Sequence, residues 1–514
     1  MKKSKKLKRK FESKDGFETV VLNNGVKQLL YPLPKGVDGT LTLPEGVTDI
    51  ESDCIRHLDG ITAIRIPQSV RNIAYNNFST CEDLESIVVD DANPFFDSRE
   101  NCNAIIDTAS KTLLVGCKSS FIPDGVEAIT CRAFYHSMIE SIYIPASVHY
   151  IDRGAFHYSC LKSIKVDKDN PYYDSREDCN AIIETATNEL IVGCKGTVIP
   201  NSVEKIGDSA FVNDFDDDKS LIIPDGVKSI ESHAFQCLRH LSSIRIPASV
   251  VEIGEKAFRS VELKSIEVDP ANPRFDSREH CNALIETETG TLLLGCSNTK
   301  IPSDIKIIGE GAFEDCRGLT SVEIPNGVDE IRGNAFIDCD ELRKVVLPIS
   351  LTHIGCGAFS CCTNLSQINI PRSVVSIGKG AFEECLSLTG EIILESVKKI
   401  EKDAFAKTYI KKLRLGSGVR IVAERAFVVS YFLKKIVISE GVELIDVGAF
   451  DNCPRLETIV LPRSIKDIGR TFLFCSHVSK VYIPKGMKEY YLQFDSMKAF
   501  RSKMIEYDCD INEL

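Results

Sequence analysis

Along most of the chain, apolar and variable residues alternate for three or four positions, stop at a proline, and resume about 23 residues later. The segment from Leu319 to Cys339, LTSVEIPNGVDEIRGNAFIDC, shows one full period, written L-x-x-I-x-I-P-x-S/G-V-x-x-I-G-x-x-A-F-x-x-C. The I-x-I part predicts a short strand with its Ile side chains turned inward, and Pro ends it because Pro has no N–H for a ladder. The V-x-x-I spacing predicts a turn or a second short extended segment. The Ala-Phe pair then supplies one small and one large core residue per period, at Phe313, Phe336, Phe359, Phe382, Phe405, Phe427 and Phe450. The Gly ahead of it suits a positive-φ turn.

Aligned on the proline, the periods form rungs at Pro44, Pro67, Asp90, Pro123, Pro145, Asp167, Pro200, Pro224, Pro247, Asp269, Pro302, Pro325, Pro348, Pro371, Leu394, Gly416, Ser439, Pro462 and Pro484. Fifteen of the 18 intervals are 22 to 24 residues, and those starting at Asp90, Asp167 and Asp269 are each 33. A unit this small cannot bury its own apolar face, so neighbours must stack, each strand parallel to its equivalent in the next unit. The expected fold is a mainly β repeat solenoid of about 19 short parallel strands, with turns and irregular segments between them.

On these residues the chain resembles the BspA-like leucine-rich repeats, also called the Treponema pallidum type, found in many bacterial surface proteins and some parasitic protists. The match runs from about Gly39 to the end. The resemblance implies a leucine-rich-repeat array closed by an amphipathic helix over the last rung, in IPKGMKEYYLQFDSMKAFRSKMIEYD from Ile483. The expected organisation is a basic disordered tail at 1–16, an N-terminal cap of irregular strands at 17–43, and the solenoid at 44–484. Within the solenoid the long units occupy 90–123, 167–200 and 269–302, and a helical C-terminal cap follows at 485–514.

The three long units share a segment: NPFFDSRENCNAIIDT from Asn93, NPYYDSREDCNAIIET from Asn170 and NPRFDSREHCNALIET from Asn272. A Gly-Cys follows each, so that Cys102 and Cys117, Cys179 and Cys194, and Cys281 and Cys296 lie 15 residues apart around a polar turn such as Thr108 to Lys111. A hairpin would set each pair across from one another, and a disulfide, half of a metal site, or two buried thiols all remain open. No CxxC or Cys/His spacing supports zinc. The Asp-Ser-Arg-Glu core has the residue types of an acid/base site. Its three near-identical copies instead favour structure, with Asn-Pro opening a turn, Asp-Ser satisfying nearby N–H groups and Arg bridging to acids.

Cys81, Cys316, Cys339, Cys362, Cys385, Cys453 and Cys475 fall three residues after the repeat Phe, with Cys160 and Cys237 offset by one. Rungs about 4.8 Å apart are too widely spaced for a relaxed disulfide, so these read as stacked free thiols in a small buried slot. Gly309-Glu-Gly311, Gly355-Cys-Gly357 and Gly378-Lys-Gly380 recur at the repeat turn and lack the rest of a dinucleotide fingerprint. Asp214, Asp216, Asp217 and Asp218 form a solvated acidic loop without EF-hand spacing. The nine histidines form no HExxH pair, and no nucleophile elbow is present. The reading is of no enzyme, no catalytic residue, no cofactor and no metal.

Composition narrows the partner class. Of 514 residues, 43% are apolar and 26% charged, which describes a chain able to bury a large core. The net charge is −12, and seven of the cations lie within Met1 to Lys10, leaving −19 on the rest. Such a body repels phosphate backbones, so no nucleic acid is expected. No stretch approaches 18 apolar residues, so no membrane span is expected. The basic start lacks the apolar core of a secretory signal, which points to the cytoplasm, whereas the resemblance implies the cell surface and adhesion.

What remains is the sheet face. Residues two before each rung should point away from the core: Arg65, Val88, Phe121, Tyr143, Lys165, Val198, Ile222, Arg245, Glu267, Lys300, Glu323, Val346, Asn369, Ile392, Arg414, Val437, Val460 and Tyr482. Four before the rung stand serines in early copies and Lys344, Lys412, Lys435 and Lys480 in late ones. Arg65, Tyr143, Lys165, Arg245, Lys300, Lys412, Arg414, Lys435 and Tyr482 are the candidate contacts, because aromatic and cationic side chains make the best anchors. The functional expectation is a non-catalytic scaffold recognising a protein or glycoprotein, at the cell surface or, alternatively, retained in the cytoplasm.

Overall fold

In the structure, a computed structural model, the described residues are all but 1–8, 15–16, 23–26, 31–38, 53, 56–59, 75–77, 79–80, 213–220 and 512–514. The acidic loop with Asp214, Asp216, Asp217 and Asp218 lies outside them. The chain divides into two compact units, Met1–Leu241 with Ser249–Phe258, and Ser242–Ala248 with Arg259–Leu514. Both are built from mainly β solenoid turns, with helix confined to single short turns.

The second unit shows the repeat most plainly. Each period yields two strands, because both the I-x-I segment and the end of V-x-x-I become extended. The latter pair into one unbroken parallel ladder from Thr291–Gly295 through Ile307–Ile308, Glu330–Ile331, His353–Ile354, Ser376–Ile377, Lys399–Ile400, Ile421–Val422 and Leu444–Ile445 to Asp467–Ile468. The I-x-I strands form a ladder in two sections, Ser321–Glu323 to Gln367–Ile368, and Glu391–Leu394 to Lys480–Pro484. Inside, the repeat phenylalanines stack face over face with centroids 4.9 to 5.5 Å apart from Phe313 to Phe472. From Phe313 to Phe427 each Phe N–H also bonds the Ala carbonyl of the next repeat, as Phe336 does with Ala358 at 2.8 Å, and Phe450 N–H bonds Thr471 Oγ1 instead. Fully burying a side chain of this size is worth about 1.5–3 kcal/mol, so one Phe per 23 residues contributes substantially to each interface between turns.

The turn around Ala-Phe requires left-handed backbone at two positions per repeat. The residue before Ala is Gly311 (φ 62°), Gly357 (61°) or Gly380 (61°), and elsewhere a non-glycine such as Asn334 (55°) or Arg425 (59°). The Gly-x-Gly triplets are therefore turn residues.

The first unit carries the same two ladders in shorter pieces, interrupted by the long units. Ala104–Asp107 pairs antiparallel with Thr112–Gly116, which then joins Ala128–Ile129 in parallel. Ala181–Glu184 with Glu189–Gly193 repeats the arrangement here, and Ala283–Glu286 with Thr291–Gly295 repeats it in the second unit. The Gly of each Gly-Cys has a steric cause. A Cβ on Gly116, Gly193 or Gly295 would lie 2.1 to 2.2 Å from the ring of Phe134, Phe211 or Phe313.

Both ends differ from expectation. Arg9–Lys14, placed by the sequence reading in a disordered tail, is a strand antiparallel to Phe17–Leu22. That strand in turn pairs antiparallel with Lys27–Leu30. At the other end, short helices at Lys488–Leu492 and Asp495–Lys498 replace a single amphipathic helix, and the chain then returns as Met504–Tyr507, parallel to Lys480–Pro484. Tyr491, Met497 and Phe500 are buried, and Phe500 meets Phe472 edge-on at 6.1 Å, ending the stack.

Candidate interaction surface

Alternation along each I-x-I strand sends every second side chain outward, and parallel register lines these up in columns. In the first unit Arg65 is exposed between Thr42 and Val88. Tyr143 and Lys165 are register partners on Ser141–Ile144 and Ser163–Val166, both exposed, and Tyr143 Oη donates to Asp167 Oδ2 at 2.5 Å. That hydrogen bond raises the Tyr143 pKa and lowers that of Asp167. In the second unit Arg245 lies opposite Glu267 and pairs with Asp269 at 2.6 Å. Lys300 is exposed. Lys412, Arg414, Lys435 and Tyr482 come together on one sheet, Arg414 half-buried and 4.0 Å from Glu391.

Three outward assignments need correction. Ile392 is buried, and its neighbour Ile393 faces out in register with Arg414. Gly390 adds a residue ahead of this strand while the turn after it is one residue shorter, so counting back from the rung misses by one. Val437 and Val460 occupy outward positions, outside the core cluster, yet are closed off from solvent at 3% and 0%. Register sets these short side chains among Arg414, Lys435 and Tyr482, which are long enough to cover them. Lys411 and Lys434, just ahead of their strands, were missed because they fall outside the alternation.

The conserved-looking polar segment of the long units is spent on the fold. Asp97, Asp174 and Asp276 each take the guanidinium of the Arg two residues on, Arg99, Arg176 and Arg278, through two nitrogens at 2.5 to 2.8 Å, and also that Arg's backbone N–H. Ser98, Ser175 and Ser277 accept the N–H of Val89, Val166 and Val268. Asn93 donates to Pro67 and Val70 carbonyls while accepting from Phe95 and Phe96, and Asn170 repeats this with Pro145 and Val148.

The hairpin cysteines are free thiols, so the disulfide alternative is not the arrangement found. The ladder ends at Ala104 opposite Gly116, so Cys102 and Cys117 are not register partners. Each thiol has its own acceptor: Cys102 Sγ meets Ala104 O at 4.0 Å, and Cys117 Sγ donates to Asn103 O at 3.3 Å. Burial pushes Cys102 and Cys179 up to about 11, leaving them protonated and unreactive near neutral pH. Among the described residues no group of three or more metal-ligating side chains converges, and no helix is long and apolar enough to cross a membrane.

A family model described as the BspA-type leucine-rich repeat region matches in six copies over residues 35–104, 112–187, 191–285, 294–411 and 398–498. Similar solved structures include a leucine-rich cell surface protein from Faecalibacterium prausnitzii, 20% identical, covering 89% of this chain and 98% of its own, TM-score 0.37. A leucine-rich repeat protein from Eubacterium ventriosum is 20% identical over 72% and 93%, TM-score 0.40. The T. pallidum leucine-rich repeat protein is 21% identical over 54% and 83%, TM-score 0.21. No curated protein sequence matches the chain.

Proposed function

The chain belongs to the BspA-type leucine-rich repeat family, and from that membership we propose that it is a non-catalytic scaffold that docks a protein or glycoprotein on the outward column of its first unit. One observation carries this reading. The outward positions of six successive rungs are Val88, Phe121, Tyr143, Lys165, Val198 and Ile222, five of them apolar or aromatic, with Tyr143 50%, Val198 71% and Ile222 79% exposed. Solubility disfavours the five apolar and aromatic residues there, and Thr or Lys, as at Lys165, would serve the fold equally well. Exposed apolar runs of this kind mark interaction sites, and Tyr supplies the anchor such sites use.

A photo-crosslinking residue placed at Tyr143 or Ile222 in source cells should capture one discrete partner, and one placed at Ile349, equally exposed but on a turn, should not. Indiscriminate labelling from all three positions would reject the docking column. The family resemblance further supports adhesion at the cell surface, with a cytoplasmic scaffold as the second reading. Protease treatment of intact cells separates them: loss of the protein while a cytoplasmic control survives supports the surface, and protection until lysis rules it out.

A further inference from the structure

On the sheet of the second unit from Glu391–Leu394 to Lys480–Pro484, parallel register sets Lys412 beside Lys435. One position earlier, Lys434 N–H bonds the carbonyl of Lys411, so these two residues are also neighbours. The result is a block of four lysines, two residues wide and two rungs deep, with rungs about 4.8 Å apart. Lys411, Lys412 and Lys434 are exposed and Lys435 is half-buried. Lys480 continues the Lys412–Lys435 column beyond Thr458. Among the described residues, carboxylates interspersed here include Glu391, opposite Lys412 in the same register and 4.0 Å from Arg414, and Glu457, 3.8 Å from Lys434.

Like charges directly opposite each other weaken a sheet. Glu391 and Glu457 stand among these positions, yet five lysines and Arg414 outnumber them and the lysine is doubled at successive rungs, which fits a polyanionic ligand. Two features narrow the class. The cations are lysines, rotatable point charges, and the guanidinium of Arg414 already lies near Glu391. The planar fork that suits carboxylates is therefore not on offer. The neighbouring rings are engaged: Tyr409 and Phe432 lie 4.8 Å apart, and Arg455 covers Phe432 at 4.5 Å. They offer no open platform for stacking bases. From Lys412 to Lys480 the column spans about 14 Å, which suits a short anionic stretch, whereas a long polynucleotide would run on against a net acidic body.

We propose that this lysine block binds a sulfated polysaccharide, with Lys411, Lys412, Lys434, Lys435 and Lys480 as the cationic contacts and the hydroxyls of Thr458 and Tyr482 as donors among them. The site shares no residue with the docking column of the first unit, so either can fail while the other stands.

The test titrates the full chain with heparin oligosaccharides at several NaCl concentrations. The variant K411Q/K412Q/K434Q/K435Q should weaken binding by about tenfold or more and flatten the slope of log K against log salt by roughly three. K411R/K412R/K434R/K435R should retain binding. Two controls should match the parent: K118Q/K162Q/K228Q/K466Q, whose lysines each face a glutamate, and a tail variant with Lys2, Lys3, Lys5, Lys6 and Lys8 changed to Gln. Thermal melts establish that each variant folds. The inference is overturned if heparin does not bind, if binding follows the tail instead of the block, or if polyglutamate or duplex DNA binds the block as tightly as heparin.

Discussion

The thiol of Cys362 donates to the carbonyl oxygen of Phe336, one repeat back, at 3.0 Å. The relation recurs from Cys339 to Phe313, Cys385 to Phe359, Cys453 to Phe427 and Cys475 to Phe450. The slot takes a small side chain, a donating thiol in five repeats, and buried Thr408 and Ser430 occupy the same place in theirs, Thr408 donating to Phe405 O of its own repeat. Cys362→Val keeps the volume and leaves the Phe336 carbonyl with only the Cys339 N–H at 3.4 Å, which should cost about 0.5–1.5 kcal/mol. Cys362→Ser keeps a donor and should cost less. Urea denaturation of both variants checks the order, and an equal loss would mean the thiol acts by packing alone.

Phe359 is fully buried between Phe336 at 5.1 Å and Phe382 at 5.3 Å. Phe359→Ala should lose roughly 3–5 kcal/mol and, because each turn contacts only its neighbours, split unfolding into two stages. Arg414→Ala, on the outer face, should stay within about 1 kcal/mol of the parent. Calorimetry on the pair tests the assignment of faces, and comparable losses would contradict it.

Gly295 faces the ring of Phe313, and Gly295→Ala places a methyl 2.1 Å from a ring carbon. The backbone or the ring must move, at a cost of about 1–3 kcal/mol. Combining the change with Phe313→Leu should recover part of that loss. A double-mutant cycle with no coupling would show that the glycine serves something other than this contact.

Asp97 and Asp276 sit in the hairpin segments. Burial, the largest single influence, pushes each carboxyl up, but the hydrogen bonds from Arg99 and Arg278 together outweigh it and hold both pKa values below the usual carboxylate range. A folded-state pKa below the unfolded one stabilises the protein above the unfolded value, and that stabilisation is lost as pH falls through the folded one. Between pH 7 and pH 3 the parent should therefore lose more stability than D97N/D276N, with the difference opening below about pH 5. Parallel pH profiles would refute this.

The period, the inward Ile and Phe positions, the hairpins at the three long units and the thiol slot were all legible in the sequence, because each depends on contacts between equivalent residues one repeat apart. Strict repetition makes local pattern and tertiary neighbour the same information. Elsewhere that identity fails and only the tertiary structure decides. Where Gly390 displaces its strand by a residue, hydrogen-bond register and not the rung count selects Ile393 over Ile392 for the outer face. Val437 and Val460 stand at outward positions yet are buried, with Arg414 and Tyr482 beside them in register, which no single-strand alternation reveals. The segments at Arg9–Lys14 and Met504–Tyr507 do not carry the repeat motif, so only their backbone pairing in the structure places them as strands. The lysine block, too, exists only through register: the sequence shows two separate Lys-Lys pairs, and the parallel ladder makes them one site.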